Sequence, residues 1–161
     1  SPFMGFDSVE PYLKRHGKGA FLLCRTSNPG GDDLQTQHLK DVPGTPRLFE
    51  HIAQLAQGEW NKNGQLGLVV GATYPQEIAR VRELAPTVPL LIPGIGAQGG
   101  DPVATVQAGL RATGQQITGP IVVNSSRAIL YASASSTFAA DARQAAIDAK
   151  QSLSHDSLFT I

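Results

Sequence analysis

The 161-residue sequence is long enough for one domain with a substantial core and too short for two domains of ordinary size. Its 13 basic and 13 acidic side chains balance, so the charge gives no support to a nucleic-acid partner. The single cysteine, Cys24, excludes an internal disulfide framework and favours a reducing compartment, and no apolar stretch approaches the roughly 20 residues of a membrane helix. We therefore expect a cytoplasmic protein that acts without a membrane or nucleic-acid partner.

Four short apolar runs predict the strands of a sheet. None of them alternates polar with apolar residues, so each is expected to be a strand buried on both faces, as in parallel sheets. The runs are residues 20–24, 66–70, 88–92 and 121–123.

Helical patterns separate the apolar runs. A short helical piece at 8–14 is followed by longer predicted helices at 47–61, at 75–85 with Thr73 as the cap, from Asp101-Pro102 onward, and at 137–153. Residues 28–45 form a long polar loop of the kind that serves as a lid or a disordered connector. Strict alternation implies an α/β class with parallel strands. The pattern alone fits either a doubly wound sheet or half of a closed barrel, which takes ~250 residues when complete.

The most specific motif is the glycine-rich segment 93–102, which follows a predicted strand directly and ends at a helix start. Glycines such as Gly99 and Gly100 let the backbone approach a ligand and present consecutive N–H groups, and the positive end of the following helix favours an anion. Gln98 offers an amide donor from within the loop. The segment therefore predicts phosphate binding; the alternative is a glycine-rich turn without a ligand.

A second motif, Asn124-Ser125-Ser126-Arg127, follows the last predicted strand. The guanidinium of Arg127 suits bidentate capture of a phosphate, and the alternative is a surface ion pair with a carboxylate. Phosphate held between the last two βα loops is a recurring arrangement in βα barrels, so the two motifs together favour a phosphate site.

A third motif, residues 25–31, follows the first predicted strand. It is expected at the same end of the sheet as the other two, where the active sites of βα barrels lie. Ser27 is positioned to hydrogen-bond a heterocyclic base, while Pro29 and the following glycines shape the loop. Taken without the other motifs, the segment fits an ordinary strand-to-loop turn equally well.

Five segments of the sequence occur in a distinctive order: SPFMGFDS (1–8), RTSNPGG (25–31), LVVGAT (68–73), PGIGAQGGD (93–101) and VNSSR (123–127). Together they resemble orotidine 5′-phosphate decarboxylases of the longer bacterial type. The resemblance covers residue 2 to about residue 149. It implies a TIM (β/α)8 barrel that converts orotidine 5′-phosphate into UMP and carbon dioxide as a homodimer, without a cofactor or metal. It also implies that Gln98, the Gly99-Gly100 backbone and Arg127 bind the phosphate, that Ser27 contacts the pyrimidine and that Pro93 lines its pocket.

The chain departs from the family pattern at the catalytic motif. The family's Asp-x-Lys-x-x-Asp motif near the end of the third strand, whose lysine protonates the carbon that loses carbon dioxide, does not occur in this sequence. The nearest match, Asp148-Ala149-Lys150, has Leu153 in place of the second aspartate. We therefore expect residues 1–161 to be one domain: the C-terminal half of the barrel, with strands 5–8 and the end of strand 4. Without the N-terminal half this domain should be inactive.

Two other functions stay open. One is another phosphate-binding barrel lyase or isomerase, against which the Ser27-Asn28-Pro29 loop and the opening Pro2-Phe3-Met4-Gly5 argue. The other is a non-catalytic half-barrel that binds nucleotide. Its two open sheet edges and exposed inner face would require association with another chain.

Overall fold

The computed structural model describes residues 1–96 and 99–154. Single 3-10 turns lie at Pro2–Met4 and Pro29–Gly31. The helices of the described residues are α1 (Phe6–Leu13), α2 (Asp32–Gln35), α3 (Leu48–Gln57), α4 (Pro75–Leu84), α5 (Pro102–Gly109), α6 (Arg127–Leu130) and α7 (Phe138–Leu153). The strands are β1 (Ala20–Arg25), β2 (Leu66–Val70), β3 (Leu90–Pro93), β4 (Arg111–Thr113), β5 (Gln116–Gly119) and β6 (Ile121–Asn124).

The main sheet is parallel, with strand order β1-β2-β3-β6. This order confirms the predicted alternation of strands and helices, and β2 has the predicted bounds. β3 begins at Leu90 rather than at residue 88, because Pro89 has no N–H to donate to the ladder. Within the part of the chain that the structure describes, no helix is long and apolar enough to cross a membrane.

The core lies between one face of this sheet and the helices α3 and α4. Leu68 of β2 and Ile92 of β3 are fully buried in the same apolar cluster as Phe49 of α3 and Ile78 of α4. Burying an aliphatic or aromatic side chain of this size contributes roughly 1.5–3 kcal/mol. Packing of this cluster therefore fixes the two central strands and the helices that follow β1 and β2.

The opposite face of the sheet is open in the described residues. Leu23, Val69, Leu91 and Val122 stand in one row across the four strands, because they are paired in register. At the two ends of the row Leu23 is 49% exposed and Val122 is 54% exposed. The expectation that every strand is buried on both faces is therefore wrong for β1 and β6. Within residues 1–96 and 99–154, helices cover only one side of the sheet, and the lateral strands have a neighbour on one edge only.

An antiparallel hairpin, β4–β5, stands between α5 and β6 and was not predicted. Its strands are short and largely exposed, so their sequence carries no apolar run. Gly114 has a φ of 59°, which is the left-handed conformation that tight hairpin turns require. Two short exposed strands and one glycine turn are too weak a sequence pattern to predict a hairpin before the pairing of the strands is known.

The long loop after β1 is structured. It contains the Pro29–Gly31 turn and α2, and an isolated antiparallel bridge joins His38 to Arg47 directly before α3. Nδ1 of His38 also lies 2.7 Å from the carbonyl oxygen of Thr45. Of the two expectations for this segment, the disordered connector is therefore wrong.

The predicted cap of α4 is also wrong. The N-cap residue is Tyr74, and its side chain makes no capping hydrogen bond. Pro75 occupies the first helical position, which starts the helix one residue later than a Thr73 cap would place it. The hydroxyl of Thr73 is instead buried, without a hydrogen-bond partner in the described structure.

Candidate functional site

The candidate site is the edge where the parallel strands end. The carboxyl ends of β3 and β6 lie side by side, with Pro93 paired to Asn124 in the ladder. The loops that follow them border an open cleft of about 160 Å³. Its lining consists of Pro93, Gly94, Ile95, Asn124, Ser125, Ser126, Arg127 and Ala128. Pro93 and Arg127, which were singled out in separate motifs, therefore share one cleft.

Direct contacts join the two loops of this cleft. The hydroxyl of Ser125 donates to the carbonyl oxygen of Ile95 at 3.2 Å. A methyl group at Gly96 would come within 3.2 Å of the Ala128 side chain, so the loops pack with little room between them. The segments after β3 and β6 thus form one unit.

Arg127 is exposed and stands at the first residue of α6, a short helix that was not predicted. Its guanidinium has no ion-pair partner within residues 1–96 and 99–154, which argues against the alternative of a surface ion pair. A solvent-facing guanidinium at the rim of a cleft keeps its donors available for an anion. The position is compatible with the predicted role.

The glycine-rich loop is arranged differently from the expectation. The Gly99 N–H donates to the carbonyl oxygen of Gly96 at 2.8 Å, and the Gly100 N–H donates to that of Gly94 at 3.2 Å. Gly99 has a φ of 80°, and a Cβ on Gly100 would lie 2.6 Å from the Ala72 Cβ. The backbone conformation of Gly99 and the close packing of Gly100 therefore explain why glycine occupies these two positions. Their N–H groups already donate hydrogen bonds within the loop. Gln98 lies outside the described residues.

The first turn of α5 is closed by its own cap. The side chain of Asp101 accepts a hydrogen bond from the Ala104 N–H at 2.8 Å, as its capping pattern predicted. A carboxylate at this place neutralises part of the positive helix end. The attraction of an anion to this helix is therefore weaker than the sequence pattern alone suggests.

Ser27 lies at the far side of the same edge, after β1. Three inter-strand spacings of ~4.8 Å separate β1 from β6, so the strands that precede Ser27 and Arg127 are roughly 14 Å apart along the sheet. The Ser27 Oγ is buried and has no hydrogen-bond partner in the described residues. It packs so closely on Gly71 that any larger residue at position 71 would displace it. An unsatisfied buried hydroxyl is uncommon in native proteins, and a bound ligand or water is one way in which such a group finds its partner.

Arg25 is the most prominent residue of this edge that the sequence reasoning missed. It is 3% exposed, and its guanidinium lies 2.5 Å from Glu77 and 2.5 Å from Asp32. Burial lowers the pKa of Arg25, but the hydrogen bonds that Arg25 donates to both carboxylates, together with their negative charges, outweigh burial and raise it. The sequence carries one signal of this ion-pair network, namely a charged residue at the end of an otherwise apolar strand. A charge at such a position is rarely buried unless it is paired.

Comparison with known proteins assigns the chain to a family. The model of the family described as "Orotidine 5'-phosphate decarboxylase / HUMPS family" matches residues 1–142. The chain belongs to this family. It is 77% identical to the orotidine 5′-phosphate decarboxylase of Paracidovorax citrulli over 146 residues, and 71% identical to that of Delftia acidovorans over 153 residues. These matches cover 91% and 95% of this chain but 52% and 54% of the relatives. The chain thus spans about half the length of the curated relatives that it matches.

Solved structures agree with this assignment. UMP synthase of Leishmania donovani superimposes with a TM-score of 0.75 at 41% identity, covering 94% of this chain and 32% of the other. OMP decarboxylase of the same organism gives a TM-score of 0.72 at 38% identity, covering 94% of this chain and 54% of the other. The predicted fold class is confirmed: the parallel sheet with its alternating helices is part of an α/β barrel of the decarboxylase family.

Within this decarboxylase-family chain, the nearest match to the catalytic motif lies where the sequence predicted. Asp148 and Lys150 are exposed residues of α7, far along the chain from any strand end. Over the described ranges, no three His, Cys, Asp or Glu side chains are grouped so that they could hold a metal ion. The described edge therefore offers binding groups and no lysine–carboxylate pair in a strand-end position.

Proposed function

We propose that the complete protein decarboxylates orotidine 5′-phosphate to UMP, and that this chain supplies the loops that bind the phosphate and the base. The observation that carries the proposal is that two polar groups without a partner in the described residues lie at one sheet edge. Within the described residues Arg127 has no ion-pair partner at the rim of the cleft, and the buried hydroxyl of Ser27 follows a strand that lies roughly 14 Å away along the sheet. A nucleotide has an anionic phosphate at one end and a hydrogen-bonding base at the other, so it fits a cationic side chain and a hydroxyl that lie at different strands of the same edge.

In this proposal the phosphate is held by Arg127, by Gln98 and by the Gly99-Gly100 backbone. Since the N–H groups of Gly99 and Gly100 are engaged with Gly96 and Gly94, binding through them requires the loop to open these two hydrogen bonds. Pro93 lines the pocket of the pyrimidine. Ser27 donates to or accepts from the pyrimidine, whose polar edge satisfies its otherwise unpartnered hydroxyl.

The phosphate contacts would act on the reaction from a distance. Binding energy from a part of the substrate that does not react can be used to orient and desolvate the part that does. The reacting groups themselves are proposed to come from outside these 161 residues, because the Asp-x-Lys-x-x-Asp motif is absent from them. We also propose that the complete enzyme is a cytoplasmic homodimer that needs no cofactor and does not act on nucleic acid.

Ligand titration of a hybrid protein tests the binding roles. In this hybrid, the chain is joined to the part of the P. citrulli decarboxylase that lies outside the matched segment. UMP is expected to bind more tightly than uridine or inorganic phosphate. Arg127→Ala should weaken UMP by roughly 10- to 100-fold, because a charged hydrogen bond to the phosphate is lost, and should leave uridine unchanged. Equal loss for uridine and UMP would contradict the phosphate role.

A further inference from the structure

The position of Ser27 depends on how the chain around it is held. Ser27 is the second residue after β1, and the loop that follows runs on to α3. Arg25, the last residue of β1, is almost completely buried and points toward this loop rather than into the apolar core. Its contacts decide where the loop starts.

Arg25 connects three parts of the fold. Its Nη2 donates to Asp32 in α2, which belongs to the loop, at 2.5 Å. Its Nε donates to Glu77 in α4, the helix of the next βα unit, also at 2.5 Å. The guanidinium also lies 5.5 Å from the centre of the Tyr74 ring. A planar guanidinium can serve both carboxylates at once, so it fastens the loop to the neighbouring helix.

Gln35 makes a second tie around the same residue. Its Oε1 accepts from the Thr26 N–H at 2.9 Å and from Nη1 of Arg25 at 3.2 Å. Its Nε2 donates to the Thr26 hydroxyl at 2.7 Å. The peptide that leads into Ser27 is thus held from α2 on one side and from β1 on the other.

We propose that Arg25, acting through Asp32 and Glu77, is a positioning residue that fixes Ser27 and its loop for the base of the nucleotide. This inference rests on the proposed function. Arg25 reaches the ligand only through the loop, so its loss should affect recognition of the base and leave recognition of the phosphate unaltered. Phosphate binding is assigned to the loops after β3 and β6, which share no hydrogen bond with this network in the described residues.

A substitution in the ion pair of Arg25 and Asp32 can distinguish an effect on loop position from an effect on stability. The Asp32 side chain is 58% exposed, whereas that of Arg25 is 4% exposed. Neutralising Asp32 should change stability little, because this carboxylate is itself largely solvated and the buried Arg25 keeps Glu77 as an ion-pair partner. Asp32→Asn should therefore leave the fold intact and loosen the loop. Asp33, which is exposed, adjacent in α2 and without an ion-pair partner in the described ranges, provides the matched control Asp33→Asn.

The experiment measures kcat and KM for orotidine 5′-phosphate in the hybrid protein, together with the inhibition constant of inorganic phosphate. Asp32→Asn should raise KM roughly 10-fold, since an unfixed loop must be ordered when the base binds. The inhibition constant of phosphate should not change. Asp33→Asn should resemble wild type, and Asp32→Glu should restore most of the affinity. Amide hydrogen exchange of residues 26–36, measured in the hybrid protein, should be faster in Asp32→Asn than in wild type and should be unchanged in Asp33→Asn.

The outcomes distinguish this inference from the proposed function. If the wild-type hybrid is active and Asp32→Asn has wild-type KM and wild-type hydrogen exchange, the positioning role is overturned and the proposed function stands. An equal loss of nucleotide and inorganic phosphate affinity in Asp32→Asn would also overturn it, because the effect would then not be specific to the base. If the wild-type hybrid neither binds UMP nor turns over substrate, the proposed function fails, and the inference fails with it.

Discussion

The two ends of the sheet each contain a buried arginine, and the two are held in different ways. Arg25 at the carboxyl end is 3% exposed and is paired with side-chain carboxylates. Arg82, which lies at the amino end, is 5% exposed and donates only to backbone carbonyl groups in the described structure. Its partners include the carbonyl oxygens of Gly109 at 2.6 Å, Val88 at 2.7 Å, Ala85 at 3.0 Å and Pro120 at 3.1 Å.

This difference is also visible in the pKa values of the two side chains. Burial lowers the pKa of Arg82 to about 10, helped by the nearby charge of Arg111, because no carboxylate of the described residues compensates for the lost solvent. Burial opposes the charge of Arg25 as well, but two carboxylates raise its pKa. The carbonyl partners of Arg82 are fixed by the fold, whereas one of the two carboxylate partners of Arg25, Asp32, belongs to the loop after β1. The comparison agrees with the general division of βα barrels into a stabilising end and a functional end.

The largest effect is expected from Arg82→Met. The substitution leaves several buried carbonyl groups without a donor, and each such group costs about 1–3 kcal/mol. We expect a loss of at least about 3 kcal/mol in the free energy of unfolding, measured by urea denaturation of the hybrid protein. UMP affinity of the folded fraction should be unchanged. A variant that keeps its stability would contradict the structural role of the amino end.

A buried carboxylate extends the comparison to the opposite charge. Glu50 at the start of α3 is 7% exposed and accepts hydrogen bonds from Arg80 at 2.7 Å and from the Arg47 N–H at 2.8 Å. Burial raises its pKa, but these hydrogen bonds outweigh burial and lower the pKa from 4.5 to about 2. Its contribution, up to about 3 kcal/mol, is present above pH 4.5 and is lost as the pH falls toward 2.

Urea unfolding across this pH window measures the contribution of Glu50. Wild type should lose stability between pH 4.5 and 2, and Glu50→Gln should be less stable at pH 7 and show a flatter dependence on pH. Glu83→Gln is the matched control, because Glu83 pairs with the same Arg80 but is 67% exposed. Parallel pH profiles for wild type and Glu50→Gln would contradict the assignment.

Substitutions of two glycines at opposite ends of the sheet are expected to have an effect of intermediate size on stability. A Cβ on Gly71 would collide with the Ser27 side chain, and a Cβ on Gly119 would lie 2.9 Å from the Arg82 guanidinium carbon and 2.7 Å from the Pro86 carbonyl oxygen. Both substitutions to Ala should cost about 1–3 kcal/mol through overpacking. Only Gly71→Ala should weaken UMP, as measured by titration of the hybrid. Equal UMP affinities for the two variants would break the comparison between the two ends.

The smallest effect on stability is expected from Arg127→Ala. Because Arg127 is exposed and has no ion-pair partner in the described residues, its removal should change the free energy of unfolding by less than about 0.5 kcal/mol. Thermal unfolding in the absence of ligand provides the measurement. A clear loss of stability would mean that the side chain has a structural partner, which would weaken its role in phosphate binding.

The sequence predicted those parts of the fold that depend on local patterns. The continuous apolar run of β2 and the Asp101-Pro102 start of α5 were read correctly, since each carries its signal within a few residues. The hairpin β4–β5 was missed, because its strands are recognised by their pairing with each other and their residue composition is not typical of strands. Burial of the lateral strands was overestimated, because the sequence of a strand does not say whether anything covers its second face.

The candidate site could be predicted less completely than the fold. Motif order placed Pro93 and Arg127 together, and the structure brings both into one cleft. The role of Arg25 depends on Glu77, which is 52 residues away in the chain, so no local pattern contains it. The internal hydrogen bonds of Gly99 and Gly100 likewise arise from the path of the loop. Gln98 and the phosphate-binding roles stay predictions.

Decarboxylation of orotidine 5′-phosphate, followed by ultraviolet absorbance, tests the central claim most directly. The assay compares the 161-residue chain, the remaining part of the P. citrulli relative, and the hybrid of the two. Turnover by the hybrid, with none by either part, is the predicted result, because the binding loops and the catalytic motif would then lie in different segments. Turnover by the chain without the added segment would contradict this account and would direct attention to Lys150; a folded but inactive hybrid would contradict the proposed function.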